Sequence, residues 1–383
     1  SVTMMALAFA AAPAVSARAS PARAHEARHA SLPSRPPAAA LALAVSSRRA
    51  ALGQAAALLR PSAAAPLIAR AGRTAGASRR GVVAVSCDGD MKVLVTGASG
   101  RTGSLVAQKL KEREGFKVLA LSRSEKGDEK LKKLGLSPEE IVRGDATDVA
   151  SLEKAMEGAD ALVVVTSAQP QIKVLSLLKV MVKKLLRQEG GRPEFKYPPE
   201  GLPEIVDWEG QKNQIDAAKA AGVKHVVVVG SMGGTQPAAE NFLNTMGVNP
   251  DGSGGNILVW KRRSEIHLIR SGLTYTIIHP GGLVDKEGGK RQLVLDVDDA
   301  LIGGPDGSKP ENKTTDRTNR QVPRADVAEM CVQSLVVPAL KNRAFDMVSK
   351  EEGDGAATMD FEALVETLSG RDCDYNINTP PGV

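Results

Sequence analysis

The chain has 383 residues, with 50 Lys and Arg against 44 Asp and Glu and a net charge of +6. That charge is unevenly placed: residues 1–86 hold eleven arginines, no lysine and Glu26 as the only acid, so they carry +10 and leave −4 on the rest. The basic excess therefore excludes a nucleic-acid footprint on the body of the chain, as does an aromatic content of 3%, and no apolar run reaches the ~18 residues of a membrane span.

Ser1 to Ser86, dominated by Ala, Arg, Ser and Pro, has the composition of a chloroplast transit peptide. Cleavage is expected near Val83-Ala84-Val85-Ser86, with delivery to the stroma. Arg48-Arg49 ahead of Ala50-Ala51-Leu52 leaves a twin-arginine lumen signal as the alternative, although Arg60 interrupts the apolar run early. A disordered basic arm is the other alternative for the segment. Residues 87–383 are enough for one sizeable core and read as one domain with a small substrate-side region towards its C-terminus.

The first element after the leader is a strand, Lys92 to Thr96, followed by Gly97-Ala98-Ser99-Gly100-Arg101-Thr102-Gly103 and a helical stripe of Leu105, Val106 and Leu110. A glycine turn between a strand and a helix suits a dinucleotide: the turn is tight, backbone approaches the pyrophosphate, and the helix N-terminus offers N–H groups and partial positive charge. About 20 residues on, the strand Lys117 to Leu121 ends at Ser122-Arg123-Ser124. An acid there would bind the ribose hydroxyls of NAD, whereas Arg123 with Arg101 suits the 2′-phosphate of NADP. NADP(H) is expected in preference to NAD(H), two solvated surface arginines being the alternative.

Further along come Gly144-Asp145-Ala146-Thr147-Asp148, a helix stripe of Val149, Leu152 and Met156 opening on Asp148 and closing at Gly158, and a strand from Ala161 to Thr166 that runs into Ser167 and Ala168. An insertion at 171–200 follows. Its stripe of Ile172, Leu175, Leu178, Val182, Leu185 and Leu186 is expected to pack on the body, a partner or membrane-surface helix being the alternative because of its lysines. A helix runs from Asp207 through Ile215 to Ala221, then a strand from His225 to Gly230, and a Gly- and Asn-rich insertion at 234–256 that reads as a mobile loop. The last expected strand is Thr274 to His279. Strands alternating with helices, and runs such as Val226 to Val229 with no polar alternation, predict an α/β fold with a doubly wound parallel sheet.

Cys87, Cys331 and Cys373 lack the spacing of a disulfide framework or a zinc site, so no metal is expected from spacing, and Cys331 reads as a small core residue. His279, at a strand end where open α/β sheets bind ligands, is a candidate acid or base, or else a structural hydrogen-bonded histidine.

The turn Thr96 to Gly103, the segments 144–148 and 166–168, and the runs Val206-Asp207-Trp208, Gly210 to Lys219, Val229 to Gly234, Trp260-Lys261-Arg262, Pro280-Gly281-Gly282 and Val322 to Ala328 resemble the atypical, NmrA-like short-chain dehydrogenase/reductases of plants over Met91 to about Leu368. The resemblance implies a Rossmann fold in which Asp145 and Ala146 border adenine, Thr166, Ser167 and Ala168 line ribose and pyrophosphate, and Pro280, Gly281 and Gly282 belong to the cofactor-binding set. It also implies a catalytic Ser, Tyr and Lys. Ser231 and Lys261 match the first and last, but Ile257 stands at the tyrosine position and cannot donate a proton. Tyr197, in the first insertion, is the candidate replacement acid, with a loop aromatic covering apolar surface as the alternative. The expectation is an NADP(H)-dependent oxidoreductase of unknown small-molecule substrate, or a non-catalytic redox sensor or scaffold working through a protein partner on 171–200.

Overall fold

The computed structural model describes residues 90–186, 193–236, 241–249, 251–302 and 318–377. The expected leader, its cleavage site and Cys87 lie outside the described residues.

Eight strands build the central sheet: β1 (Met91–Thr96), β2 (Phe116–Ser122), β3 (Ile141–Arg143), β4 (Ala161–Val164), β5 (His225–Val229), β6 (Thr274–Pro280), β7 (Leu293–Asp296) and β8 (Arg343–Lys350). Their order is β7-β8-β6-β5-β4-β1-β2-β3, and a short ninth strand, Thr318–Asn319, pairs with β8. All pairings from β8 through to β3 are parallel, and only β7 and the short strand run against β8. The chain winds outwards twice from the centre, so a topological switch point falls between β1 and β4, where open α/β sheets bind ligands.

The helices are α1 (Arg101–Lys111), α2 (Glu125–Lys133), α3 (Val149–Ala155), α4 (Val174–Leu185), α5 (Gly210–Ala220), α6 (Phe242–Thr245), α7 (Ile257–Ser271), α8 (Arg324–Val336) and α9 (Phe361–Glu366). Successive strand residues point to opposite faces, and both faces are covered. Val93 and Val95 pack with Val106 and Leu110 of α1 and Val327, Cys331 and Leu335 of α8. Leu94 packs on the other side with Leu152 of α3, Ile215 of α5 and Leu268 of α7. This explains the unbroken valine run of β5, which is buried throughout. Cys331 is fully buried in this core, and burial pushes its thiol up to about 12. Asp148 caps α3 by accepting the Ala150 N–H, as its position predicts.

Two expectations are corrected. The α4 stripe does not pack on the body: Leu175, Leu178, Val182, Leu185 and Leu186 are all exposed, and Ser176 is the buried contact. The 171–200 insertion is held instead by a two-stranded hairpin of Gln171–Ile172 with Phe195–Lys196, and by Ser176, whose hydroxyl accepts the Glu194 N–H at 2.8 Å. The 234–256 insertion is not simply a loop. It contains α6, capped by Asn241, and Asn244 is buried and accepts the Leu258 N–H at the start of α7. Residues 237–240 and 250 lie outside the described residues.

Candidate functional site

The turn between β1 and α1 is built to let something else approach. Gly97 has φ +68°, the left-handed region that favours glycine, and a Cβ there would lie 2.8 Å from the Val165 carbonyl oxygen. A Cβ on Gly103 would lie 2.2 Å from the Gly97 oxygen, so only glycine lets α1 pack this close to the turn. Gly100 opens α1 with no side-chain cap, and the first turn holds no acid, so neither a capping side chain nor a carboxylate of that turn compensates its N–H groups and the positive helix end. Thr102 and Ser104 are buried beneath the turn, with Ser99 on its rim. This cradle fits a dinucleotide pyrophosphate.

On the β2 side, Ser124 caps α2 by accepting the Gly127 N–H, and Gly127 sits against Ser122 and Ser99. Arg123 projects into solvent from the end of β2. Arg101 is exposed and reaches Asp285 at 3.5 Å, a carboxylate that Arg324 holds at 2.6 Å. The cation that touches the turn itself is Lys130 of α2, whose amine donates to the Ser99 carbonyl at 2.7 Å. Arg143, at the end of β3 and in register with Ser122, pairs with Asp128 at 2.8 Å. Sequence reasoning missed Lys130 and Arg143. Lys130 lies six residues beyond Ser124 on a lysine-rich helix, and only the packing of α2 singles it out.

Beside the switch point, Asp145 accepts both the N–H and hydroxyl of Thr147, which fixes the loop carrying Ala146 against the start of α5. Residues 166–168, after β4, are pinned by α5 and the turn before it. Gln211 donates to the Thr166 carbonyl, Gln214 donates to the Thr166 hydroxyl and accepts from Thr96 of β1, and the buried Asp207 accepts the Ala168 N–H at 2.9 Å. Ser167 lies on this loop between them. Asp207 also faces Lys261 at 2.7 Å, both side chains being essentially buried. The run Asp207 to Gln214 thus acts as a brace for the β4 loop, a role that its sequence did not disclose.

Ile257 and Lys261 occupy the first turns of α7, and both are buried. Tyr197 packs with Ile257, Leu258 and Ala168, is 3% exposed, and its phenol oxygen has no hydrogen-bond partner among the described residues. Burial and then the Asp207 charge push this phenol up to about 12. The insertion therefore delivers a tyrosine to the side chain that stands at the missing tyrosine's position.

Ser231, half-buried after β5, shares a small cleft with Lys261, Arg262, Glu265 and His279. His279 is a buried hub: Nε2 lies 3.2 Å from Glu265 and Nδ1 lies 3.3 Å from Asp346, which the β6–β8 register places opposite it. Burial alone would lower its pKa, but the Glu265 charge, with Asp346 and the other partners, raises it well above the usual value. Tyr375 closes the hub, its hydroxyl near Glu265 and its ring under the Arg262 guanidinium at 4.6 Å. Cys373 Sγ lies 3.8 Å from His279 Nδ1, so His279, Asp346 and Cys373 group their ligating atoms within 4.8 Å although they are far apart in the chain. Spacing in the sequence had no means of showing this. Pro280 is buried, Gly281 donates to Met347 of β8, holding the strand end against it, and Gly282 donates to Arg320.

The NAD(P)H-binding family model matches residues 97–338. Sanguinarine reductase of Eschscholzia californica is 47% identical over 288 residues, covering 73% of this chain and 96% of that protein. An uncharacterised chloroplast protein of Arabidopsis thaliana is 47% identical over 293 residues, covering 76% of this chain and 80% of its own. The photosystem II assembly factor Ycf39 of Trieres chinensis is 25% identical over 287 residues, covering 75% and 72% respectively.

Proposed function

We propose, since the chain belongs to the NAD(P)H-binding family, that it is an NADPH-dependent reductase of the chloroplast stroma acting on an electron-poor small molecule in the cleft beside Ser231. The observation that carries this reading is the glycine cradle at Gly97, Gly100 and Gly103, flanked by cations at Arg101, Arg123 and Lys130 with no acid at the β2 end to select NAD. The localisation rests on the composition of residues 1–86 and on the chloroplast relative.

When bound, a reduced nicotinamide supplies a hydride. The residues of this chain do the rest. Lys261 carries three N–H donors, and its one carboxylate partner among the described residues, Asp207, leaves donors for ribose hydroxyls while fixing the amine in place. Ser231 orients the substrate, and Ile257 and Tyr197 exclude water. With no phenol at position 257, the cleft suits an acceptor that needs no proton from the protein: an iminium carbon takes the hydride as its C=N π pair moves to nitrogen, giving a neutral amine. With His279 protonated, the carboxylates of Glu265, Asp298, Asp299 and Asp346 outnumber the cations Lys261, Arg262 and His279 on the cleft wall, which favours a cation. The relative named sanguinarine reductase supports a reductase reading.

A second reading is a non-catalytic NADP(H) sensor or scaffold, favoured by Ile257 and by the exposed apolar face of α4. Following NADPH absorbance with iminium alkaloids and quinones separates the two. Turnover with an iminium supports the reductase, and tight binding without turnover on either panel replaces it with the sensor.

A further inference from the structure

Helix α4 is built the wrong way round for a helix of a water-soluble body. Its buried contact is a serine, Ser176, which donates to the Lys173 carbonyl and accepts from Glu194, while Val180 is half-buried. Its aliphatic side chains face out: Val174 is 69% exposed, Leu175 75% and Leu185 83%. Placed at the spacing of an α-helix, Leu177, Met181, Val174, Leu185, Leu178, Val182 and Leu175 fill one unbroken arc of about 160°. All seven are exposed. Lys179 lies about 40° beyond one edge of this arc and Lys183 about 40° further round; both are exposed, and residues 171–186 contain no acid.

We infer that α4 is a lipid-docking ridge that lies on the surface of an anionic membrane. The centre of the arc carries neither charge nor hydrogen-bonding group, which matches hydrocarbon, and its lysine flank matches anionic headgroups at the depth where an interfacial helix lies. Twelve residues make a helix of about 18 Å, too short to cross a bilayer, and no described helix is long and apolar enough to do so. A second copy of the chain is a poorer occupant because it would bring lysines against lysines. The hairpin and the Tyr197 anchor fix the base of the ridge to the body, so docking would hold the body at the membrane surface, where apolar substrates partition.

The test is sedimentation of the full chain with phosphatidylcholine vesicles and with vesicles containing about one-third phosphatidylglycerol. Two variants accompany the wild type: Leu175→Ser/Leu178→Ser/Met181→Ser/Leu185→Ser, and Lys179→Gln/Lys183→Gln. The basic leader is common to all three proteins, so differences between them read α4 alone, and unchanged NADPH binding shows that each variant is folded. The wild type is expected to prefer the anionic vesicles, the four-serine variant to bind them about tenfold more weakly or worse, and the glutamine variant to lose only the anionic preference. Equal vesicle binding by wild type and four-serine variant overturns the inference. So does a wild type that ignores vesicles and instead runs as a dimer which the four-serine variant breaks, since the ridge would then be an interface between copies.

Discussion

The Lys261 ammonium lies 2.7 Å from the Asp207 carboxylate, and neither side chain is open to solvent. The same carboxylate accepts the Ala168 N–H, so one buried ion pair ties α7 to the loop after β4. Removing one partner strands the other charge. Lys261→Ala is expected to cost about 3–5 kcal/mol of stability and to weaken NADPH binding, whereas Lys261→Met/Asp207→Leu should recover much of the stability and none of the binding. Denaturant unfolding and calorimetric titration of the two variants check both halves.

The cations near the turn predict cofactor choice. Replacing Arg101 and Arg123 together with Ala should weaken NADPH binding about tenfold to hundredfold, on the scale of charged hydrogen bonds, and leave NADH nearly unchanged. Lys130→Ala, which removes the amine on the Ser99 carbonyl, should have the same sign with a smaller size. Equal losses for the two cofactors would remove the 2′-phosphate assignment.

Gly103→Ala would put a methyl group 2.2 Å from the Gly97 oxygen. Backbone on both sides must shift, so the substitution should cost about 1–3 kcal/mol and abolish dinucleotide binding. Gly115→Ala meets no neighbouring atom but lies at φ +85°, so it should cost stability through backbone strain and leave binding alone. A fluorescence titration of each variant distinguishes the two effects.

Acid should find one weak point in β5. His225 is buried with Nε2 3.0 Å from the Thr276 hydroxyl, which itself donates to Leu340. Burial, with Lys341 adding to it, lowers its pKa to about 4. A histidine lowered in the folded state contributes full stability above its unfolded pKa and loses it as pH falls from about 6.5 to about 4. Relative to His225→Gln, the wild type should lose about 3 kcal/mol over that window. Parallel unfolding curves for the two proteins at pH 7.5 and pH 4.5 would contradict this origin.

What the sequence disclosed follows from the range of the forces involved. The strands β1, β2, β4, β5 and β6 were legible within a residue or two because each is a short apolar run set between turn or helix signals. The glycine turn was legible because its three glycines answer a local steric demand. Strand β3, with three residues, was placed before Gly144 without bounds, and β7 and β8 were not identified, β8 mixing Asp346 and Ser349 into its core run. Their place is set by pairing with distant strands. The hub of His279, Glu265, Asp346, Cys373 and Tyr375 was invisible for the same reason, since only the β6–β8 register and the chain after α9 bring it together. The α4 stripe was read correctly as amphipathic but turned to the wrong side, because periodicity reports that a face is apolar and says nothing of what it meets.

The central claim is that the turn at Gly97 to Gly103 holds NADPH. The most direct measurement is calorimetric titration of the wild type and Gly103→Ala with NADPH and NADH. The account predicts one site per chain, NADPH bound at least tenfold tighter than NADH, and no binding by the variant. A wild type that binds neither nucleotide, or a variant that binds NADPH as well as the wild type does, would contradict it.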